Sequence, residues 1–133
     1  MNPELPKPTP AETEILNVLW DLGPSTVRQV HGVISQDHHS GYTTVLKFMQ
    51  IMAEKGLLHR EDGDGRAHIY APAIERATAQ RQMVRELVDK LFGGSATQMV
   101  LQALEERPAS AQDLAEIREL IERRESREKG AGA

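Results

Sequence analysis

The sequence predicts a mainly α-helical protein with one small β-hairpin, and two neighbouring observations support this fold class. Residues 41–56 place apolar side chains at spacings of three and four, so that they share one face of a helix. The runs 57–61 and 66–70 follow directly and flank a Gly-rich turn, which is the pattern of a β-hairpin. A helix followed at once by a hairpin is typical of the winged helix-turn-helix, whose helix enters the DNA major groove.

Composition narrows the classes of protein further. The chain has 133 residues, enough for one domain of about 70 residues plus an appendage. Only 4% of the residues are aromatic, so the core must be aliphatic, and the lack of cysteine excludes disulfides, thiolate metal sites and cysteine nucleophiles. No apolar run approaches the ~20 residues of a membrane helix, and residues 1–8 lack the apolar region of a signal peptide. The expected location is therefore the cytoplasm.

Net charge argues at first against a nucleic-acid partner. The formal charge is -4, and residues 1–72 carry six Lys and Arg against nine Asp and Glu, which gives -3. Nucleic-acid-binding proteins usually show a basic footprint, so any positive surface here must be local. Its candidate residues are Arg28, Lys47, Lys55, Arg60 and Arg66. We therefore expect modest affinity per subunit and a need for dimerisation.

The first predicted domain is the winged helix, at residues 9–73. Residues 1–8 hold three of the seven prolines and are expected to form a disordered arm. Thr9 and Glu12 then match a capping box with proline at the first helical position, which predicts the start of helix 1. The apolar stripe predicted for this helix is Ala11, Ile15, Val18, Leu19 and Leu22.

A second capping-box pattern, Thr26 and Gln29, begins helix 2. A short polar turn separates it from the helix at 41–56, for which Ser40 is the candidate N-cap and Gly56 the end. The polar face of that helix is a candidate DNA-reading surface, although such a face is often no more than a solvated one. Its members are Thr43, Thr44, Lys47, Gln50 and Glu54.

The hairpin supplies two further candidate DNA contacts. Arg66 begins the second strand beside a tight turn, where it could reach a phosphate or the minor groove; the alternative is an exposed arginine without a partner. His68 alternates with Ile69 along that strand and is expected to face solvent or DNA.

Three amphipathic helices are predicted in residues 74–125, the second of them capped by Ser95, and a flexible tail is predicted at 126–133. Short helices cannot easily bury their apolar faces alone, so they either fold back on the winged helix or pair with a second copy. We favour pairing, because a two-fold dimer doubles the DNA contacts and reads a palindrome; a single larger helical domain is the alternative. The predicted dimerisation residues are Val84, Leu87, Val88, Leu91, Met99, Val100, Leu104, Leu114, Ile117 and Ile121.

No pattern in the sequence indicates an enzyme. There is no nucleophile–base constellation, no Gly-rich phosphate loop and no His-Glu-x-x-His motif. The adjacent rings of His38 and His39 point apart on a turn, so this pair alone is a poor metal chelator. We expect no enzymatic activity, no cofactor and no metal.

Several segments taken in order carry a family resemblance. They read Glu-Ile-Leu-Asn-Val-Leu-Trp at 14–20, Thr-Val-Arg-Gln-Val at 26–30, Tyr-Thr-Thr-Val-Leu at 42–46, Glu-Lys-Gly-Leu-Leu at 54–58, Gly-Arg-Ala-His-Ile-Tyr at 65–70 and Leu-Phe-Gly-Gly at 91–94. In this order and spacing the chain resembles the penicillinase repressor family, of the BlaI/MecI type with CopY-like relatives, over about residues 9–125.

The resemblance implies a homodimeric repressor whose winged-helix domains bind a palindromic operator and whose C-terminal helices form the dimer. The positions that face the groove in that family match Thr43, Thr44, Leu46, Lys47, Gln50 and Ile51 here. Ile51 departs from the family, which often has arginine there. An apolar side chain at this position would contact a thymine methyl group or lie at the groove edge.

Two departures concern the inducing signal. In the β-lactamase regulators, induction involves cleavage of an Asn-Phe bond in the dimerisation helices, and the matching residues here are Gln102 and Ala103. Copper-responsive relatives use C-terminal cysteines, which this chain lacks. A membrane sensor-protease is a candidate partner, but the cleavage route does not carry over.

The sequence therefore predicts a cytoplasmic, homodimeric transcriptional repressor that binds double-stranded operator DNA. Arg28, Arg66 and His68 are expected to add DNA contacts to those of the groove-facing helix. One alternative is a winged-helix module that binds protein, which the charge of -3 over residues 1–72 favours. Another is a regulator with a small molecule between its C-terminal helices, although no polar cluster marks a pocket there.

Overall fold

The computed structural model describes residues 7–37, 40–62, 65 and 67–131. Its elements in chain order are α1 (Pro10–Leu22), α2 (Val27–Asp37), α3 (Tyr42–Lys55), β1 (Leu58–Asp62), β2 (His68–Pro72), α4 (Arg76–Leu91), α5 (Ala96–Glu106) and α6 (Ala111–Ala131). Three helices followed by an antiparallel hairpin form a winged helix-turn-helix, and the predicted fold class is confirmed. The chain divides into two compact units, Met1–Arg85 and Glu86–Ala133.

The two predicted capping boxes are present. The Thr9 hydroxyl accepts from the Glu12 amide at 3.2 Å, and the Thr9 amide donates to Glu12 Oε1 at 2.9 Å. The same reciprocal pair joins Thr26 and Gln29, at 2.8 Å and 3.2 Å. Both boxes satisfy amides that a helix start leaves without intrahelical partners, so they fix where α1 and α2 begin.

Helix α3 begins one residue later than the sequence predicts. Gly41, with extended backbone angles, is the N-cap and makes no side-chain capping bond, so the expectation that Ser40 caps the helix is wrong. The carbonyl oxygen of Ser40 lies 2.9 Å from Nε2 of His31 instead, which holds Ser40 against α2. Gly56 ends α3 as predicted, with a φ of 86° that favours glycine at this position.

The core of the first unit is aliphatic. Helix α3 contributes Val45, Met49 and Met52, and the other helices and the hairpin close around them. Leu22 does not join this core: it is 51% exposed, because it lies in the last turn of α1, next to the point where the chain leaves the helix. The buried apolar residues are Ile15, Leu16, Leu19, Val27, Val30, Ile34, Val45, Met49, Met52, Leu57, Leu58, Tyr70 and Ala79.

A third segment joins the hairpin and places it beside α2. Strand β1 pairs antiparallel with β2 from Leu58 opposite Pro72 to Asp62 opposite His68. Ser25, which precedes α2, exchanges two backbone hydrogen bonds with Tyr70, at 2.8 Å and 3.0 Å. The hairpin, which forms the wing, is therefore held beside the start of α2. Side chains from these two elements can then line one common surface.

The first turn of α4 is fastened to α1. The Trp20 indole N–H donates to the carbonyl of Ile74 at 3.0 Å, and Arg76 donates to Asp21 Oδ1 at 2.6 Å while lying 5.6 Å from the Trp20 ring centre. Ala79 is buried, so the compact first unit includes the start of α4. The functional boundary at residue 73 stays a prediction.

The second unit contains the end of α4, then α5 and α6. The Ser95 hydroxyl accepts from the Gln98 amide and caps α5 as expected. Helix α6 extends to Ala131 and so includes most of the tail that is expected to be flexible. Because a helical conformation does not report how much a segment moves, the flexibility of this tail stays a prediction. Residues 1–6 of the expected disordered arm lie outside the described residues. In the described ranges no helix is both long and apolar enough to cross a membrane.

Candidate nucleic-acid interface

The outer face of α3 is polar and accessible, as the helical pattern predicts. Its inward positions are Val45, Met49 and Met52, which are buried against the rest of the first unit. Leu46 is half-buried and packs against the core. The exposed residues of the outer face are Thr43, Thr44, Lys47, Gln50, Ile51 and Glu54.

Three elements meet around one groove beside α3, with a volume of about 450 Å³. It brings together four of the predicted contact residues, namely Arg28 from the first turn of α2, Leu46 and Gln50 from α3 and His68 from β2. The residues around it are Thr26, Val27, Arg28, Tyr42, Leu46, Gln50, Ala67, His68 and Tyr70. A cationic, an amide and an imidazole side chain thus converge from elements distant in the chain.

The opposite side of the exposed α3 face has a different character. There a shallow depression of about 330 Å³ is lined by Thr43, Thr44, Lys47, Phe48 and Ile51, and its walls are almost wholly apolar. The predicted contact residues of α3 are therefore divided. Leu46 and Gln50 line the groove shared with α2 and the wing, whereas the other four line this depression.

The turn end of the hairpin carries an acid–imidazole pair. His68 Nδ1 lies 3.0 Å from Oδ1 of Asp62, its cross-strand partner, and both side chains are exposed. Arg66, a predicted DNA contact at the wing, lies outside the described residues, as do His38 and His39 of the turn between α2 and α3. The expectations for these three residues stay predictions.

Lys55, which is expected to belong to the positive surface, forms an ion pair with a buried carboxylate. Lys55 donates to both oxygens of the Glu12 carboxylate, at 2.9 Å and 3.1 Å, and Glu12 is only 2% exposed. Burial alone would raise the pKa of Glu12, but hydrogen bonds from the Thr9 amide and the Lys55 ammonium together hold it below its ordinary value. Lys55 therefore fastens the end of α3 to the start of α1, and its charge is already balanced.

Positive charge on the first unit is accordingly local. Arg28, Lys47 and Arg60 are exposed on α2, α3 and β1, respectively. Arg60 lines a polar cleft between the end of α3 and β1, together with Gln50 and Glu54. Cations on three adjoining elements can contact the phosphate backbone on both sides of a helix that lies in a groove.

Five residues around the groove are absent from the predicted contacts: Thr26, Val27, Tyr42, Ala67 and Tyr70. The sequence pattern marks Thr26 only as a helix cap, and its position beside the wing depends on the Ser25–Tyr70 pairing, which no local pattern encodes. Tyr42 packs edge-on against the His31 ring at 5.9 Å. Its place in the first turn of α3, next to a predicted polar face, could have marked it as a candidate.

The predicted dimerisation residues are apolar side chains that remain accessible within the chain. Leu91 is 70% exposed, and Val88, Met99 and Ile117 are half-buried. The other predicted members, all exposed, are Val84, Leu87, Val100, Leu104, Leu114 and Ile121. Leu101 and Leu120 share this exposure and were not predicted.

In the part of the chain that the structure describes, no group of three or more His, Asp or Glu side chains could hold a metal ion. The fold, with the exposed face of α3 beside the hairpin, defines the class of winged-helix DNA-binding proteins.

Comparison with known proteins gives the family. Residues 8–123 match the family model described as Penicillinase repressor, so the chain belongs to the penicillinase repressor family. A penicillinase repressor of Bacillus licheniformis is 22% identical over 126 residues, which cover 95% of this chain and 98% of that protein. The transcriptional regulator BlaI of Mycobacterium tuberculosis is 41% identical over 66 residues, covering 49% of this chain and 47% of the regulator.

A solved structure is also similar. It is the solution structure of the Bacillus licheniformis BlaI monomeric form in complex with the blaP half-operator, with a TM-score of 0.49 and 23% identity, covering 56% of this chain and 89% of that one. The family membership confirms the predicted resemblance. The protein is a DNA-binding transcriptional repressor, and the family is not one of enzymes.

Proposed function

We propose that this repressor acts in the cytoplasm as a homodimer that occupies a palindromic operator and blocks access of RNA polymerase. In this account α3 lies in the major groove, and Thr43, Thr44, Leu46, Lys47, Gln50 and Ile51 read the bases there. Arg28, Arg66 and His68 contact the backbone or the groove edges from α2 and the wing.

The convergence of α2, α3 and β2 on one groove is the observation that carries the proposal. Arg28, Gln50 and His68 come from different elements yet line the same cavity next to the exposed α3 face. The capping boxes, the Ser25–Tyr70 pairing and the Lys55–Glu12 ion pair hold these elements in place. A rigid, shaped surface with few charges suits base reading better than non-specific attraction to phosphates.

The net charge of the first 72 residues explains why a single copy would be a weak binder. Six cations against nine acids give -3, and Lys55 is neutralised by Glu12, so few phosphate contacts are available per subunit. Two copies on a two-fold axis double those contacts without raising the charge of either subunit. Dimerisation is therefore part of the proposed function and not an addition to it.

The second unit is the proposed dimerisation region. Its helices leave Leu87, Leu91, Val100, Leu104 and Ile121 exposed, which is costly in water and favourable once a second copy covers them. The neighbouring predicted residues Val84, Val88, Met99, Leu114 and Ile117 belong to the same proposed seam. A symmetric interface would bury each of these side chains twice.

The release signal differs from cleavage at an Asn-Phe bond. Gln102 and Ala103 occupy the matching positions on α5, where both are exposed, and Gln102 Nε2 donates to Glu106 at 3.0 Å. A membrane sensor-protease stays a candidate partner, but it would need another peptide bond or a signal other than proteolysis.

Titration of duplex DNA at several salt concentrations tests the proposal. We expect the affinity to fall steeply with salt, because each phosphate contact releases a counterion. The matched control is the Arg28→Ala variant, whose salt dependence should be weaker by about one released ion. Indifference of the wild-type protein to duplex DNA at low salt would overturn the proposed function.

A further inference from the structure

The apolar depression on α3 gives the proposed base-reading surface a chemical specificity. Thr44, Phe48 and Ile51 follow one another at spacings of four and three, so they form a stripe along one side of the helix. At 1.5 Å per residue this stripe is about 10 Å long, which corresponds to roughly three base-pair steps. Thr44 and Ile51 are exposed, whereas Phe48 is half-buried and also packs against the core of the first unit. We call these three residues the apolar stripe of α3.

The chemistry of the stripe limits what it can recognise. The side chains of Phe48 and Ile51 neither donate nor accept hydrogen bonds, so they cannot read the oxygen, nitrogen or amino groups of the base edges. The thymine 5-methyl group is the apolar feature that the four bases present in the major groove. Thr44 adds a methyl group of its own, together with a hydroxyl that can meet a neighbouring base edge.

The surroundings of the stripe favour duplex DNA as its occupant. Lys47 lines the same depression and supplies a positive charge toward the phosphate backbone. The groove that holds Gln50, Arg28 and His68 lies on the other side of the same exposed helix face. Ile51 is 36% exposed on a mainly polar face, so its branched apolar side chain is accessible to a base in the groove.

We propose that the apolar stripe reads thymine methyl groups, so that each operator half-site must carry thymine at one or more positions facing Ile51 and Phe48. The inference rests on the proposed function and names the base feature that the same surface recognises. Burial of one methyl group against Ile51 should strengthen binding about fourfold.

Replacement of thymine by uracil tests the proposal, because it removes only the methyl group and leaves base pairing intact. The probe is a duplex enriched by the wild-type protein from a random pool that contains thymine. Each thymine of that duplex is then exchanged singly for uracil, and the dissociation constants are measured by fluorescence anisotropy. We expect about a fourfold loss of affinity at one or two thymines in each half-site.

Two variants make the test specific. Ile51→Ala should bind the thymine duplex more weakly and lose the uracil effect at the position that Ile51 contacts. Gln50→Ala, on the other side of the exposed face, should weaken binding but keep the full uracil effect. Ile51→Arg should move the preference at that position from thymine to guanine, because arginine pairs with the two acceptors of guanine.

The outcomes separate this inference from the function on which it rests. Enrichment of a site whose affinity is unchanged by uracil at every position would overturn the inference and leave the DNA-binding function standing. A uracil effect that persists in Ile51→Ala and in Phe48→Ala would also overturn it, since other residues would then read the methyl group. Failure of the wild-type protein to enrich any duplex would overturn both.

Discussion

The two compact units differ in how far they bury their apolar side chains. Among its described residues, the unit Met1–Arg85 encloses thirteen that are buried and apolar, drawn mainly from its helices and both strands. In the unit Glu86–Ala133, none of the residues with described side chains, 86–130, is buried. The first unit thus has its own core, whereas the second exposes the surface that would form one. The difference supports our proposal that a second copy covers the apolar surface of the second unit.

The largest expected effect is on assembly. Leu87→Asp should convert the dimer to monomers, because the two-fold axis would bring two unpaired carboxylates into an apolar seam. Sedimentation velocity checks the mass, and Trp20 emission checks that the first unit stays folded. Gln80→Asp, an exposed polar position on α4, is the control and should remain dimeric. A dimer formed by Leu87→Asp would remove this residue from the seam.

The next largest effect is on the stability of the first unit, where a buried and an exposed side chain can be compared. Met49→Ala removes a fully buried side chain from the first unit and should cost about 3 kcal/mol in the free energy of unfolding. Leu22→Ala removes a side chain of similar size that is half exposed, and should change stability by about 0.5 kcal/mol or less. Urea unfolding at pH 7 measures both. Equal losses would show that the core is not where the structure places it.

A smaller effect concerns DNA and not stability. Lys47→Ala should weaken operator binding by about 1 kcal/mol or more and leave the fold intact, because Lys47 is exposed on α3. Arg81→Ala removes a positive charge from the exposed side of α4 and should bind as the wild type does. Gel-shift titration compares the two variants, and equal affinities would count against α3 as the groove-reading helix.

The smallest effect is the pH dependence of stability through Glu12. Its pKa is lower in the folded protein than the ordinary value of 4.5, so its contribution is fully present above that pH and is lost as the pH falls through the folded pKa. Glu12→Gln should be less stable than the wild type at pH 7 by about 1 kcal/mol. The gap should narrow as the pH falls below 4.5 and through the folded pKa.

Lys55→Ala tests the same ion pair from its other end. This variant should lose somewhat less than Glu12→Gln, since the Lys55 side chain is 37% exposed and water can replace part of its interaction. Stability curves of wild type and Glu12→Gln that run parallel from pH 3 to pH 7 would contradict the assignment.

Local patterns predicted the helices and their ends well. The capping boxes at Thr9 and Thr26, the left-handed Gly56 and the Ser95 cap are encoded within four residues each, and all are present. Ser40 failed as a cap because its carbonyl contacts His31, nine residues earlier, so that the helix begins beyond it. Helix ends are thus predictable from sequence until a tertiary contact competes.

Contacts between distant segments could not be read from the sequence. Pairing of Ser25 with Tyr70 and of Glu12 with Lys55 joins residues more than 40 positions apart, and no periodic pattern marks either pair. These contacts determine which candidate residues share a groove and which cation is already neutralised. The identities of the α3 face residues followed from periodicity, but their division between the groove shared with α2 and β2 and the depression lined by the apolar stripe required the fold.

A selection from random duplex DNA by the full chain, read by sequencing, tests the central claim most directly. A first unit that reads bases and a second that joins two copies predict an enriched site made of two copies of one short sequence in inverted orientation. An enriched single sequence without an inverted partner would contradict dimeric recognition. No enrichment at all would contradict sequence-specific DNA binding and favour a winged helix that binds another protein.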